Sequence, residues 1–376
     1  MAIKEVTPEF IPGARIKVIW VGGAGGNTIN RMIQEWIDGV EFIAVNTDAQ
    51  ALENNLAWTK INIGLNLTRW LWAGANPEIG RKAAEENIDE IKRHLDDTDM
   101  LFITAWMWGG TWTGAAPIIA EAAKELGILT VWVVTKPFSF EGKKRLANAI
   151  EGLEKLREWV DTLIVIPNDK IFNIIDKKTT FKQAFNMIDR ILHLGVQGIS
   201  DLVIKPWLIN IDFADISVIM KDSGTALLGI GYGEGENRTV DATRQAIENP
   251  LLEAKLEGAK NIIFAVTGGE DLTPTEVQEA ASIIENIAAE DANIIWWMSI
   301  DENYDQDVKV TIIATWFPQD TQVEIIKGSK ANNVSNPAKW NDFVSRALNS
   351  NPKKVEQTKK EENTDIPAFL RRKAKN

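Results

Sequence analysis

The stretch "RIKVIWVGGAGGNTINRMI" (15–33) constrains this chain more than any other. Its β-branched run suits a strand, Gly22, Gly23, Gly25 and Gly26 force a turn, and the apolar residues that follow recur at helical spacing. "VEFIAVNTD" (40–48) then reads as a second strand, which gives a β-α-β start. The alternation goes on. A helix is predicted over 78–95, a strand at "MLFITA", a helix at "AAPIIAEAAKELG", a strand at "LTVWVVTKPF", a helix over 142–158 and a strand at "DTLIVIPND". Strands alternating with helices predict a parallel sheet covered on both faces, with ligands at the carboxyl ends of the strands. The glycine-rich loops all fall at those ends.

A helical pattern over about 180–203 suits a long connecting helix. Beyond it, "NIIFAVTGG", "NIIWWMSI" and "VKVTIIATWF" predict strands of a second, smaller sheet, with helices at 239–248 and 274–289. The expected organisation is a lead-in over 1–13, a nucleotide-type α/β domain over 14–180, a central helix over 181–206 and a second α/β domain over 207–317. A polar linker over 318–364 follows, and then an apolar-basic peptide over 365–376.

Composition narrows the chemistry. The chain has no cysteine and two histidines, His94 and His193, which excludes disulfides and thiolate metal sites; each histidine is expected on a polar helix face. A net charge of -12 argues against generic nucleic-acid binding, which needs a basic footprint. No apolar run approaches the roughly 20 residues of a membrane-spanning helix, and the start lacks the pattern of a secretory signal. A cytoplasmic protein that does not insert into membrane is expected.

Two loops have the character of phosphate binders. "VGGAGGN" (21–27) follows a strand and opens a helix, so its amides and the helix amino end form an anion site, although glycine turns also serve close strand–helix packing. "WGGTWTGAAP" (108–117) repeats the arrangement, with Thr111 and Thr113 as hydroxyl donors. No G-x-x-x-x-G-K-[ST] is present, so two such loops suggest a polyphosphate whose charge is neutralised by amides, hydroxyls and a Mg²⁺ ion. In "NIDFAD" (210–215), Asp212 and Asp215 flank a turn entering a helix. Such a pair can polarise water, or simply cap the helix.

Taken together, "GGAGGN", "VEFIAVNTDAQAL", "GANPEIGRKAAEE", "GTWTGAAP", "VVTKPFSFEGKKR", "GVQGISDL", "NIDFAD", "GTALLGIG" and "DIPAFLRR" resemble the FtsZ family of tubulin-like cell-division GTPases over most of the chain. The resemblance implies a GTP-binding parallel-sheet domain, a long central helix, a second α/β domain and head-to-tail stacking of subunits into a mid-cell ring. It assigns nucleotide contacts to Gly22, Gly23, Ala24, Gly25, Gly26, Asn27, Asn46, Ala73, Gly74 and Ala75, and to Gly109, Gly110, Thr111, Trp112, Thr113 and Gly114. Glu141 and Arg145 match positions near ribose and phosphates, and Phe185 and Asp189 match those that pack on and read guanine. A carboxylate suits guanine because it accepts from N1–H and the exocyclic amine together. Asn210, Asp212 and Asp215 would reach the nucleotide of the next subunit and orient its attacking water. Ile366, Phe369, Leu370, Arg371 and Arg372 match the docking peptide for membrane tethers and division regulators.

One departure recurs. The chain carries 15 tryptophans beside 2 tyrosines and 13 phenylalanines. Trp20, Trp70, Trp72, Trp106, Trp108, Trp112, Trp207 and Trp316 stand where the family pattern has glycine, as does one of Trp296 and Trp297. Trp20 also breaks a G-x-G-x-x-G that Gly22 and Gly25 would otherwise complete. Overpacking costs typically about 1–3 kcal/mol per site, so about nine such changes would consume an ordinary folding stability of about 5–15 kcal/mol. Natural divergence and deliberate substitution are two origins. A third is a gene whose UGA codons specify glycine, translated with a table that assigns UGA to tryptophan; the 26 glycines that remain in the chain fit it, as those with GGN codons. If the tryptophans are real, a non-hydrolysing scaffold is the alternative function. A nicotinamide-dependent dehydrogenase is a third reading, but it gives no role to the second loop or to "NIDFAD".

Overall fold

A computed structural model describes residues 13–23, 26–35, 37, 39–68, 76–107, 109–173, 175, 178–204, 212–249, 251–301, 304, 306–318, 321, 325 and 326. The first half alternates as the periodicity requires: β1 (Ile16–Val21), α1 (Gly26–Gln34), β2 (Val40–Asn46), α2 (Ala49–Glu53), β3 (Thr59–Asn62), α3 (Leu65–Thr68), α4 (Pro77–Glu86), α5 (Ile88–Leu95) and β4 (Met100–Trp106). It continues with α6 (Gly110–Glu125), β5 (Leu129–Lys136), α7 (Lys143–Leu156), β6 (Thr162–Pro167) and the long α8 (Phe181–Ile204). The second half comprises α9 (Phe213–Met220), β7 (Gly224–Glu234), α10 (Arg238–Ile247), β8 (Asn261–Gly268), α11 (Pro274–Ile287), β9 (Asn293–Ile300) and β10 (Asp307–Thr315).

The strand order is β3-β2-β1-β4-β5-β6-β7-β10-β8-β9. The first six strands are parallel, and β1 sits at the point where the chain reverses its direction of travel across the sheet. Loops on either side of such a switch point diverge and leave a crevice between them. Alternation along β1 explains the two-faced core. Ile19 and Val21 join the layer containing Ile103, Trp132 and Leu163, whereas Ile16, Val18 and Trp20 join that containing Met187, Ile188 and Leu192 of α8.

The long helical stretch expected over 78–95 is two helices. Asn87 caps the end of α4 and precedes α5, and its side chain accepts from the Gly64 amide at 3.0 Å. The second set of strands is joined edge-on to the first through β7, which runs parallel to β6 and antiparallel to β10.

Periodicity did not point to β7, and the reason is physical. Gly229, Gly231 and Gly233 alternate along it, because α10 lies directly on their backbone. A Cβ on Gly231 would lie 2.0 Å from the Ala242 carbonyl oxygen, and Ala246 and Arg238 block the other two positions in the same way. The glycines thus form a period-two stripe under a helix whose contacting residues recur every four. Gly231→Ala is therefore expected to destabilise by about 2–3 kcal/mol, because backbone rather than a side-chain end must move; urea unfolding measures it.

Candidate nucleotide site

The turn after β1 is held by Gly22, whose φ of +96° only glycine adopts without strain, and whose amide donates to the Val45 carbonyl at 2.9 Å. A Cβ on Gly23 would lie 3.5 Å from Asn46 Nδ2, so Asn46, buried at the end of β2, stands beside the loop. α1 then begins at Gly26 with its amide end at this loop. Ala24, Gly25, Ala73, Gly74 and Ala75 lie outside the described residues, as does the side chain of Asn27.

The second loop is shorter than its sequence suggests. α6 starts at Gly110 with Gly109 as its amino-terminal cap, so Thr111, Trp112, Thr113 and Gly114 form the first turn of a 16-residue helix. The amino end of such a helix, here following β4 beside the switch point, attracts anions. The threonine hydroxyls are engaged within the protein: Thr113 donates to the Gly109 carbonyl at 2.7 Å, and Thr111 lies 3.1 Å from the Thr47 hydroxyl. At Gly114 a Cβ would fall 1.8 Å from the Pro77 carbonyl oxygen, which fixes α6 tightly against α4.

The other wall comes from α8. Phe185 and Asp189 are one turn apart, on the same helix face. Asp189 is buried and accepts from the Thr28 hydroxyl. Burial pushes its carboxyl up to about 6, while the Thr28 hydrogen bond and the Arg31 charge pull it down. Glu141 accepts from the Phe138 amide at 2.9 Å and pairs with Arg145 at 2.9 Å, so the two side chains hold each other after the end of β5. Among the described residues, no group of three or more His, Asp or Glu side chains could hold a metal ion.

Asp212 and Asp215 lie elsewhere. Asp212 caps α9, accepting from the Ala214 amide at 3.2 Å, and both aspartates are exposed; Asn210 is outside the described residues. The far end of α9 is tied to the beginning of β6, where the Thr162 hydroxyl donates to the Met220 carbonyl at 2.5 Å. The glycine loops leave the finishing ends of the parallel strands, about 20 Å away at the rise of a six-residue strand. The helix that Asp212 caps is therefore anchored, through Met220, at the starting side of the parallel strands, whereas Gly22 and Gly109 follow their finishing ends.

A Tubulin/FtsZ family GTPase-domain model matches residues 15–176, and an FtsZ-family C-terminal-domain model matches residues 224–318. Among solved structures, an empty FtsZ dimer from M. jannaschii is 46% identical, with a TM-score of 0.75 over 80% of this chain and 88% of that one. The chain belongs to the tubulin/FtsZ family. A tryptophan-to-tyrosine variant of the same M. jannaschii FtsZ gives 45% identity, a TM-score of 0.76 and coverage of 81% and 91%. CetZ2 from Haloferax volcanii, solved as a GTPγS-bound protofilament, shares 17% identity over 89% of this chain and 98% of that one at a TM-score of 0.67, which speaks to fold alone.

In this FtsZ-family chain the tryptophans fall into distinct environments. Trp20, Trp106, Trp112, Trp132 and Trp297 are buried. Trp20 donates its indole N–H to the Gly22 carbonyl at 3.1 Å, directly beneath the first loop. Trp112 is wedged between both loops and α7: its side chain lies 3.7 Å from a Cβ on Gly22 and 3.2 Å from ones on Gly109 and Gly152. Among the described residues, the buried N–H groups of Trp112 and Trp132 have no hydrogen-bond partner, and an unmet buried N–H costs about 1–3 kcal/mol. Trp316 has a φ of +59°, a region that costs a side-chain-bearing residue about 1–2 kcal/mol. Of the adjacent pair, Trp297 faces inward and Trp296 is half exposed. Trp58 and Trp159 stand at the surface, and nothing in the structure explains them. Trp70, Trp72, Trp108 and Trp207 lie outside the described residues.

Sequence reasoning passed over Thr28, Thr47 and Phe138. Thr28 directly follows a recognised motif, Thr47 and Phe138 lie within one, and only tertiary placement gives each a role. It also set His193 on a polar face. The structure corrects this: His193 is buried in α8, 3.6 Å from Glu35, and burial followed by the Arg190 charge lowers its pKa to about 3, so the ring is neutral. Its polar-looking neighbours on α8, Asp189 and Arg190, are buried as well.

Proposed function

We propose that this protein binds and hydrolyses GTP, polymerises head to tail and forms the cytoplasmic ring of bacterial cell division. The position of Asp212 and Asp215, on a helix anchored at the starting side of the strands and not at the nucleotide loops, carries the reading: a pair that cannot reach its own site can complete that of a second copy. In a stack, Asn210, Asp212 and Asp215 would orient and polarise water, while the amides of the two loops hold the phosphoryl oxygens. Mg²⁺ arriving with the nucleotide would neutralise phosphate charge. Ile366, Phe369, Leu370, Arg371 and Arg372 would dock tethers and regulators, so the protein itself need not enter lipid. Residues 14–180, 181–206 and 207–317 would act as nucleotide domain, linking helix and catalytic-loop domain.

The reading includes glycine, in the protein the gene encodes, at the family glycine positions written here as tryptophan. The unpartnered N–H of Trp112 and the left-handed backbone of Trp316 support it. Peptide sequencing of the protein from its source cells is expected to read glycine at 108 and 112; UGG codons there would contradict this. A second reading, a scaffold without GTP turnover, is favoured by one observation, the indole of Trp106 lying on Phe185 at 5.4 Å. Sedimentation with GTP against GDP separates the two, since only the first predicts a GTP-specific polymer.

Guanine affinity should also depend on pH. Asp189 in the free protein favours its protonated form below about 6, and guanine needs the carboxylate as acceptor. In the chain with glycine at 106, GDP affinity is therefore expected to be flat above about pH 7 and to fall about tenfold per unit below about 6, with proton release on binding. The sign for stability is opposite. The raised carboxyl contributes most at low pH, and that contribution is lost as pH rises towards about 6. Calorimetry in two buffers of different ionisation enthalpy reads the proton count.

A further inference from the structure

We infer that an indole at position 106 plugs the base subsite, so that the identity of residue 106, tryptophan or glycine, decides whether this chain can take up a guanine nucleotide. The inference rests on reading Phe185 and Asp189 as the groups that receive the base.

Trp106 ends β4, at the lip of the switch-point crevice, and is 6% exposed. Its ring lies on Phe185 with centroids 5.4 Å apart and planes within 16° of parallel. On its other side Phe185 meets Phe138 edge-on at 5.5 Å. Phe138 is in turn stacked on Phe140 at 4.8 Å and tilted against Phe172 at 5.3 Å. Phe140, Phe172 and Phe181 are about half or more exposed, so the aromatic series runs from a buried indole out to solvent. One face of Phe185 is thus taken by Trp106, and Phe138 packs perpendicular to the same ring.

An indole is a planar bicycle of nearly purine size, and it covers the platform a purine would need. It cannot do a purine's chemistry there, because a single N–H does not supply the donor pair that a carboxylate such as Asp189 recognises. A nucleotide entering this chain must expel the indole and expose it to water. Exposing a buried side chain of that size costs affinity by about 10- to 100-fold. Glycine at 106 removes the competitor and frees the face of Phe185, one helical turn from Asp189. Trp112 obstructs differently: it belongs to the opposite face of the sheet, beneath the phosphate loops.

The test uses the full chain carrying W108G and W112G, with Trp, Phe or Gly at 106, titrated with GDP by calorimetry. Phenylalanine keeps a ring on Phe185 and separates stacking from general loosening. The expected result is GDP binding at least about 10-fold tighter with W106G than with Trp106, and W106F close to Trp106. Equal affinity in all three overturns the plug and leaves the nucleotide reading intact. Absence of GDP binding in all three, each folded by circular dichroism, overturns both. Should the W106G chain not fold, thermal melting of the W108G and W112G chain with Trp106 or with W106A decides: a rise in Tm at micromolar GDP with Trp106 in place overturns the plug, and a rise only at millimolar GDP that moves to micromolar with W106A supports it.

Discussion

In the chain with glycine at 106, 108 and 112, Asp212→Asn or Asp215→Asn is expected to lower GTP turnover by about 10²- to 10³-fold, the range over which a positioned general base acts. GDP affinity of the dilute protein should stay within about threefold, because both side chains stand at the beginning of α9, a helix whose other end is held at the start of β6 and not at the glycine loops. Mixing makes the result specific. If a chain blocked in nucleotide binding by Asp189→Ala is added to one blocked by Asp212→Asn, turnover should reappear, since each supplies what the other lacks. Failure of mixing to restore turnover, with both chains folded and co-sedimenting, would place the aspartates outside the reaction. Asp212 also caps α9, so Asp212→Asn is preferred to alanine; asparagine keeps an oxygen for the Ala214 amide.

The second large effect lies where the two halves meet. Lys136 ends β5 and pairs with Glu253 at 2.5 Å, and both are almost wholly buried. The Lys136 ammonium also reaches the Ile325 carbonyl at 3.5 Å and that of Ile326 at 3.4 Å. Burial lowers the Lys136 pKa, and Glu253 opposes that shift. Lys136→Met leaves a carboxylate in an apolar setting and is expected to cost about 3–5 kcal/mol, read as a drop in the urea midpoint at constant slope. Adding Glu253→Leu should recover most of that loss, because removing both charges also removes both desolvation penalties. A double variant less stable than either single one would contradict the account.

Much of this was legible in the sequence, for identifiable reasons. The parallel half was readable because each strand is a continuous apolar run bounded by glycine, and each helix keeps a 3.6-residue stripe. Both glycine loops were readable because backbone chemistry puts them at strand ends whatever the side chains do. β7 was not, since Gly229, Gly231 and Gly233 answer to the backbone of α10 and not to strand propensity. Nor was the beginning of α6: glycines at 109, 110 and 114 look like loop, while the first turn of the helix already runs through them. The engagement of the Thr111 and Thr113 hydroxyls and the burial of His193 depend on neighbours distant in sequence. The stacking of Trp106 on Phe185 joins positions 79 residues apart, and periodicity carries no signal for it.

The central claim is that one active site is built from two copies of this chain. The most direct measurement is GTP turnover per chain as a function of protein concentration, in the chain with glycine at 106, 108 and 112. The account predicts negligible turnover below a threshold concentration, a steep rise above it, and the same threshold for sedimentable polymer. Turnover per chain that is constant down to nanomolar protein would mean that a single copy holds the whole site, and would contradict it.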